Sequence, residues 1–321
     1  MLRMFVILIA AIVCFSMQVE AGTLSIPSQF VLQRPLNPAL ITETQNSGLA
    51  VSSVSSISDA FFESDICEAE IFSKCGETGL GGLGYKKWKD YHFQVELQTL
   101  TSSEEGNAGG TKIKNRRDQR HYLGMIAGRY ERFSFGAMLQ HNQSEYRKRQ
   151  SFSTGRIENG GDAIEWSLSL GGTVKFWDQY YFSLYRESVV SQYVRDINGR
   201  KTSDIPALGF YGLGVGGEFT LFENWKIAAE FYGLFQRKTF EQNELLGAQF
   251  DVSWKDLMAY ATFVHDVKDN YFERSGGKKE TVKMASGLAW YGKKYQIQLG
   301  RDPRFFDGLD GGLKFTFGFQ F

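Results

Sequence analysis

Gly311 to Phe321 read GGLKFTFGFQF. In an extended strand successive side chains point to opposite sides. Leu313, Phe315, Phe317, Phe319 and Phe321 therefore share one face, and Lys314, Thr316, Gly318 and Gln320 share the other. An apolar row this pure, closing on a terminal aromatic, would promote edge-to-edge aggregation on a water-facing surface. Against hydrocarbon the same row is favourable, so the segment reads as a lipid-facing strand.

Phe315, Phe317, Phe319 and Phe321 make the tail resemble the C-terminal assembly signal of bacterial outer-membrane β-barrel proteins. The resemblance is close over these residues and extends to the rest of the chain only by pattern. It implies the barrel assembly machinery as a partner, outer-membrane lipid and lipopolysaccharide as surroundings, and the bacterial outer membrane as location. The N-terminus agrees. Arg3 precedes an apolar run from Met4 to Met17, and Val19-Glu20-Ala21 has the form of a cleavage site. Residues 1–21 are read as a signal peptide, with Gly22 beginning the mature chain. The run is short for a spanning helix.

Composition fits a barrel, whose alternating strands have unremarkable mean hydropathy. Aromatics make up 15% of the 321 residues, and there are 35 Gly against 5 Pro. The formal net charge is zero, so no global field points to nucleic acid. Beyond the signal peptide only Cys67 and Cys75 remain, a candidate disulfide in an exported chain, with two buried free thiols as the alternative. Four scattered histidines and these cysteines have no metal-ligand spacing, and no motif calls for a cofactor.

Residues 22–84 differ in character from the rest of the chain. Val51 to Ser58 is Ser-rich and linker-like, Asp59 to Lys74 has a helical reading, and Gly79 to Gly84 reads as a hinge. This segment is expected to be a periplasmic arm or a plug, with the barrel occupying 85–321. Twelve strands are expected there, at 90–101, 120–132, 133–147, 163–177, 179–195, 205–222, 224–240, 245–255, 257–268, 280–292, 294–302 and 311–321. The fold class is all-β, an antiparallel up-and-down transmembrane barrel. Tight turns such as Glu131 to Phe133 alternate with longer polar connections such as Thr101 to Gln119 and Lys148 to Asp162, the outer-membrane arrangement. Trp177, Trp225, Trp254, Tyr180 and Tyr291 gather at the short turns and suit an interfacial girdle.

With the apolar faces outward, Glu96, Glu165, Lys175, Lys226, Glu230, Asp251, Lys283 and Lys314 point inward. They are candidate pore-lining groups, and a passive channel for small polar solutes is the leading expectation. A lipid-modifying enzyme and a non-conducting anchoring barrel are the alternatives. His141-Asn142-Gln143-Ser144 invites the enzymatic reading through its likeness to the His-x-Ser run of outer-membrane phospholipase A. The spacing opposes it, because residues three apart project from opposite faces of a strand. No catalytic residue is assigned. Lys112, Lys114, Arg116, Arg117 and Arg120, with Arg147, Lys148 and Arg149, form basic runs expected on outer loops, where lipopolysaccharide phosphates would meet them.

Overall fold

A computed structural model of the chain describes residues 37–43, 47–55, 72–152, 155–177, 179–196, 201–204, 210–237, 242–267, 282–301 and 313–321. The signal-peptide segment and Cys67 lie outside the described residues.

The described residues form one antiparallel sheet that closes on itself. Its strands are β1 (Gly48–Ser55), β2 (Phe72–Trp88), β3 (Tyr91–Ala108), β4 (Thr111–Tyr130), β5 (Phe133–Phe152), β6 (Gly155–Phe176), β7 (Tyr180–Asp196), β8 (Lys201–Asp204), β9 (Phe210–Phe222), β10 (Trp225–Arg237), β11 (Gln242–Trp254), β12 (Leu257–Asp266), β13 (Val282–Tyr291), β14 (Tyr295–Arg301) and β15 (Leu313–Gln320). Fourteen make the closed circuit, and β8 only pairs beside the far end of β7. All twelve expected strands are present. The two additional ones are β1 and β2, which the sequence presents as a Ser-rich linker and a Gly hinge. The expected start of the barrel at 85 thus moves back to Gly48. Composition misleads here because these strands put small residues inward. Ser52 faces Gly81 across β1 and β2, while Leu49, Val51 and Leu80 are exposed on the outer face.

β15 pairs with β14 on one side and β1 on the other, so the aromatic tail closes the barrel. The Phe321 amide donates to the Ser47 carbonyl at 3.0 Å, tying the end of β15 to the start of β1 at the short-turn rim. Those short turns hold Lys89, Glu131, Trp177 and Lys255 at positive φ, the left-handed geometry that matches tight hairpins to strand twist. Trp88, Tyr130, Phe133, Trp177, Phe222 and Phe321 are exposed around this rim, as an interfacial girdle requires. Tyr291, expected among them, instead faces inward, where its hydroxyl donates to Met258 Sδ at 3.0 Å. The girdle position on that strand belongs to its neighbour Trp290.

Among the described residues the strands are unequal in length. β4, β5 and β6 have 20, 20 and 22 residues, against 7 and 8 in β14 and β15. A tilted strand needs only about 9–11 residues to cross a bilayer. The excess forms a wall above the membrane band. The connection expected as a loop at Thr101 to Gln119 is strand almost throughout, turning only at Gly109 and Gly110, whose φ values of 56° and 82° suit a two-residue hairpin tip.

A 3-10 turn, Pro38–Glu43, lies inside the barrel against β3, β4, β5 and β6. Its Pro38, Ala39, Leu40 and Ile41 are buried. Asn37 Nδ2 donates to the Gly172 carbonyl at 3.3 Å and to Thr173 Oγ1 at 3.1 Å. Thr42 Oγ1 donates to Ser134 Oγ at 2.8 Å, and Arg129 pairs with Glu43 at 2.9 Å. Gly136 and Gly171 form the niche. A Cβ on Gly171 would sit 1.8 Å from Asn37 Oδ1, and one on Gly136 would sit 2.7 Å from the Pro38 backbone.

Candidate lumenal site

The inward positions of β9 to β12 build a layered interior. Nearest the short turns, Gln179, Glu218, Thr220, Lys226, Asp251, Ser253 and Met258 line a cavity of about 290 Å³. Lys175, Lys226 and Glu43 are all within electrostatic range of Glu218. The middle layer is the row Gly216–Glu230–Gln249–Thr262. Glu230, Gln249 and Thr262 are 0%, 2% and 1% exposed. Gln249 Nε2 donates to Asp251 Oδ1 at 3.0 Å and accepts at Oε1 from Thr262 at 3.2 Å, which fixes the amide between the two layers.

Above this layer the interior turns apolar. Tyr185, Tyr232, Leu234, Leu245 and Val264 form one buried cluster, with Phe210 packed against it. Inner-face glycines make room for it. A Cβ on Gly247 would lie 2.1 Å from the Tyr232 ring, and one on Gly212 would lie 2.9 Å from Leu234 Cδ2. The glycine run Gly212 to Gly217 lies in a regular strand with a crowded inner face.

The candidate charged groups fall into several places. Lys226 and Asp251 share the lower cavity, and Glu230 stands directly above it. Glu96 and Lys314 meet across β1 and β2 at a second, much smaller gap with Ser52 and Thr316. Glu165 sits higher, accepting from Asn142 Nδ2 at 3.3 Å, while Asn142 Oδ1 contacts His121 Nδ1. Lys175 Nζ lies 5.2 Å from the Tyr181 ring centroid. Lys283 is paired in register with Val264 of β12. Glu218 completes the cavity, and the alternation of β9 marks it as inward. The apolar cluster is less visible in sequence. Its signal is adjacent apolar pairs, Leu234-Phe235 and Leu245-Leu246, which make both faces of a strand apolar at one height.

His141 and Ser144 point to opposite sides of β5. His141 is outward, stacked 4.2 Å from Trp166 and 5.7 Å from Tyr122 between ring centroids. The basic residues expected on loops lie on strands β4 and β5. By alternation Lys112, Lys114, Arg116, Arg120, Arg147 and Arg149 face outward, and Arg117 and Lys148 face inward. Cys75 lies on β2 opposite Glu104. Phe315, Phe317 and Phe319 are exposed on the outer face of β15, and Phe321 just beyond it.

No known protein-family profile matches the chain, and no curated protein sequence matches it. Solved structures do. The Pseudomonas putida toluene transporter TodX aligns with a TM-score of 0.56 at 11% identity, covering 95% of this chain and 98% of that one. A Pseudomonas aeruginosa FadL homologue aligns at 0.52 and 10% identity, covering 96% and 99%. The Ralstonia pickettii toluene transporter TbuX aligns at 0.50 and 9% identity, covering 95% of each. At these identities the likeness is one of fold. The chain has the architecture of outer-membrane β-barrels.

Proposed function

We propose that this protein is an outer-membrane channel for small solutes that carry an apolar body and one polar group. The observation behind this reading is the vertical order of the interior along β7 and β9 to β12, an apolar cluster above a buried polar row above a polar cavity. A wholly polar solute has no use for Tyr185, Tyr232, Leu234, Leu245 and Val264 facing inward. Burying a small hydrocarbon body there is favourable by about 25 cal/mol per Å². The polar group would then be met by Glu230, Gln249 and the cavity lined by Glu218, Lys226 and Asp251. Several structures of like fold are of proteins named as toluene transporters, which favours an apolar body over the purely polar solute that alternation alone suggests. Because the middle layer is almost fully buried, passage requires it to move, and the Pro38–Glu43 turn restricts the lumen beside it. The channel is gated and selective.

Proteoliposome flux tests this. Benzyl alcohol is expected to enter faster through the refolded chain than glycerol, relative to protein-free vesicles. Leu234→Ser with Leu245→Ser is expected to abolish that preference while glycerol flux is retained. Equal enhancement of both solutes, or an unaltered preference in the folded double variant, would count against this proposal.

A further inference from the structure

The outward face of the wall formed by β3 to β6 changes character along its height. Leu97, Tyr122, His141 and Trp166 lie side by side, apolar and aromatic, as at a membrane interface. Three outward rows higher, the face of β4 and β5 is charged. Arg116 stands directly opposite Arg147, and in the next outward row Lys114 stands directly opposite Arg149. Like charges directly opposite on neighbouring strands are destabilising, and here two successive rows contain them. Carboxylates flank this quartet without entering it. Asp118 takes Arg116 at 2.9 Å, Glu145 takes Arg147 Nε at 2.7 Å, Glu158 takes Arg149 at 3.7 Å, and Glu105 takes Lys114. Arg116 uses Nε and Nη2 on Asp118, and Arg147 uses the same two nitrogens on Glu145, which leaves Nη1 of each for another acceptor. Arg120 adds a cation between the quartet and the aromatic row.

We infer that Lys114, Arg116, Arg147 and Arg149 form a clamp for the phosphate groups of lipopolysaccharide in the outer leaflet. Arg116 lies six residues above Tyr122, about 20 Å along the strand and less in height because strands tilt. This places the quartet beside the phosphorylated headgroup of a lipid whose chains contact the aromatic row. A phosphate between the strands relieves the cation–cation rows through charge-assisted hydrogen bonds, for which guanidinium is well shaped. The inference rests on the outer-membrane placement proposed above and not on conduction.

The test adds purified lipopolysaccharide to the full chain in mild detergent and counts bound lipid by native mass spectrometry. Changing Lys114, Arg116, Arg147 and Arg149 together to Gln is expected to weaken binding about tenfold or more. The inward pair Arg117→Gln and Lys148→Gln is expected to leave it unchanged. Glu105→Gln with Glu158→Gln, which frees Lys114 and Arg149, is expected to tighten it. Dephosphorylated lipopolysaccharide should bind poorly to every variant. The clamp is overturned by equal binding of the quadruple variant, an equal loss in the inward pair, or retention of the dephosphorylated lipid. Displacement by phosphatidylglycerol or inorganic phosphate at matched charge would also overturn it. If the quadruple variant does not assemble, the Glu105 and Glu158 variant decides, with unchanged or weaker binding counting against the clamp. Outer-membrane fractionation of the wild type separates failure of the clamp from failure of the placement.

Discussion

Single residues carry much of the packing inside this barrel, and glycine is the clearest case. Gly247 leaves room for the Tyr232 ring, which its own Cβ would strike at 2.1 Å. Gly247→Ala is expected to cost about 1–3 kcal/mol through overpacking. A lower melting temperature in detergent would show it, and an unchanged one would mean the ring swings aside freely. The closing strand offers a second case. Phe319 and Phe321 lie with ring centroids 6.1 Å apart on the outer surface, beside the join of β15 to β1. Phe319→Ser with Phe321→Ser is expected to lower the amount of folded protein in the outer membrane sharply, because lipid burial and the assembly signal are lost together. Normal folded levels would exclude that role. Both cases show what a sequence discloses at this scale. The alternating phenylalanines could be placed on a face directly. The partner of Gly247 could not, since Tyr232 comes from a neighbouring strand whose register only closure of the sheet determines.

Among elements, the 3-10 turn inside the lumen and the tall hairpins invite different experiments. The turn is seated by Gly171, so Gly171→Leu is expected to expel Pro38–Glu43 from its niche and raise basal conductance in planar bilayers. Conductance equal to wild type, with the barrel intact, would show that the turn does not obstruct passage. In the hairpins, two carboxyls outside the membrane band sit below their ordinary range. Burial pushes Asp118 up, but hydrogen bonds from Arg116 and Thr101 outweigh it. For Glu158 the leading cause is the hydrogen bond from Arg156. A group depressed in the folded state adds stability above its unfolded pKa and loses it as pH falls through the folded value. Acidification through the lower carboxylate range is therefore expected to reduce amide protection in β4 to β6 before the membrane band responds. Uniform loss of protection across the barrel would contradict this. These hairpins also mark where reading by polarity failed. Runs such as Lys112 to Arg117 look like loop because they are charged, yet charge is compatible with a strand that has water on both faces and a cross-strand partner in reach.

For the whole molecule, the informative measurement is ion preference. Glu165 and Glu230 face the lumen at two heights, and Lys175 and Lys226 lie near the short-turn end. If ions follow the same route as solute, Glu165→Gln with Glu230→Gln is expected to shift the reversal potential toward anions. Lys175→Gln with Lys226→Gln is expected to shift it toward cations, since charges lining a narrow path act where screening is weakest. Unchanged potentials in both would remove these groups from the path. The closed barrel and the inward or outward face of each strand residue are legible from alternation, because a two-residue period states which side each residue faces. The layered interior is not, because it depends on which inward residues meet across the lumen.

The tall wall has a further consequence, which concerns the cell's surroundings. In the proposed location, Gly109 and Gly110 stand exposed at the outer end of the wall formed by β3 to β6. An antibody or a phage approaching the surface would find that tip exposed and remote from the lumen. Its sequence can drift, or accept an inserted epitope, while the conduit beneath keeps its shape, because a two-residue tip packs against nothing that the barrel needs. The tall wall thus separates what the outside world can recognise from what the channel must preserve.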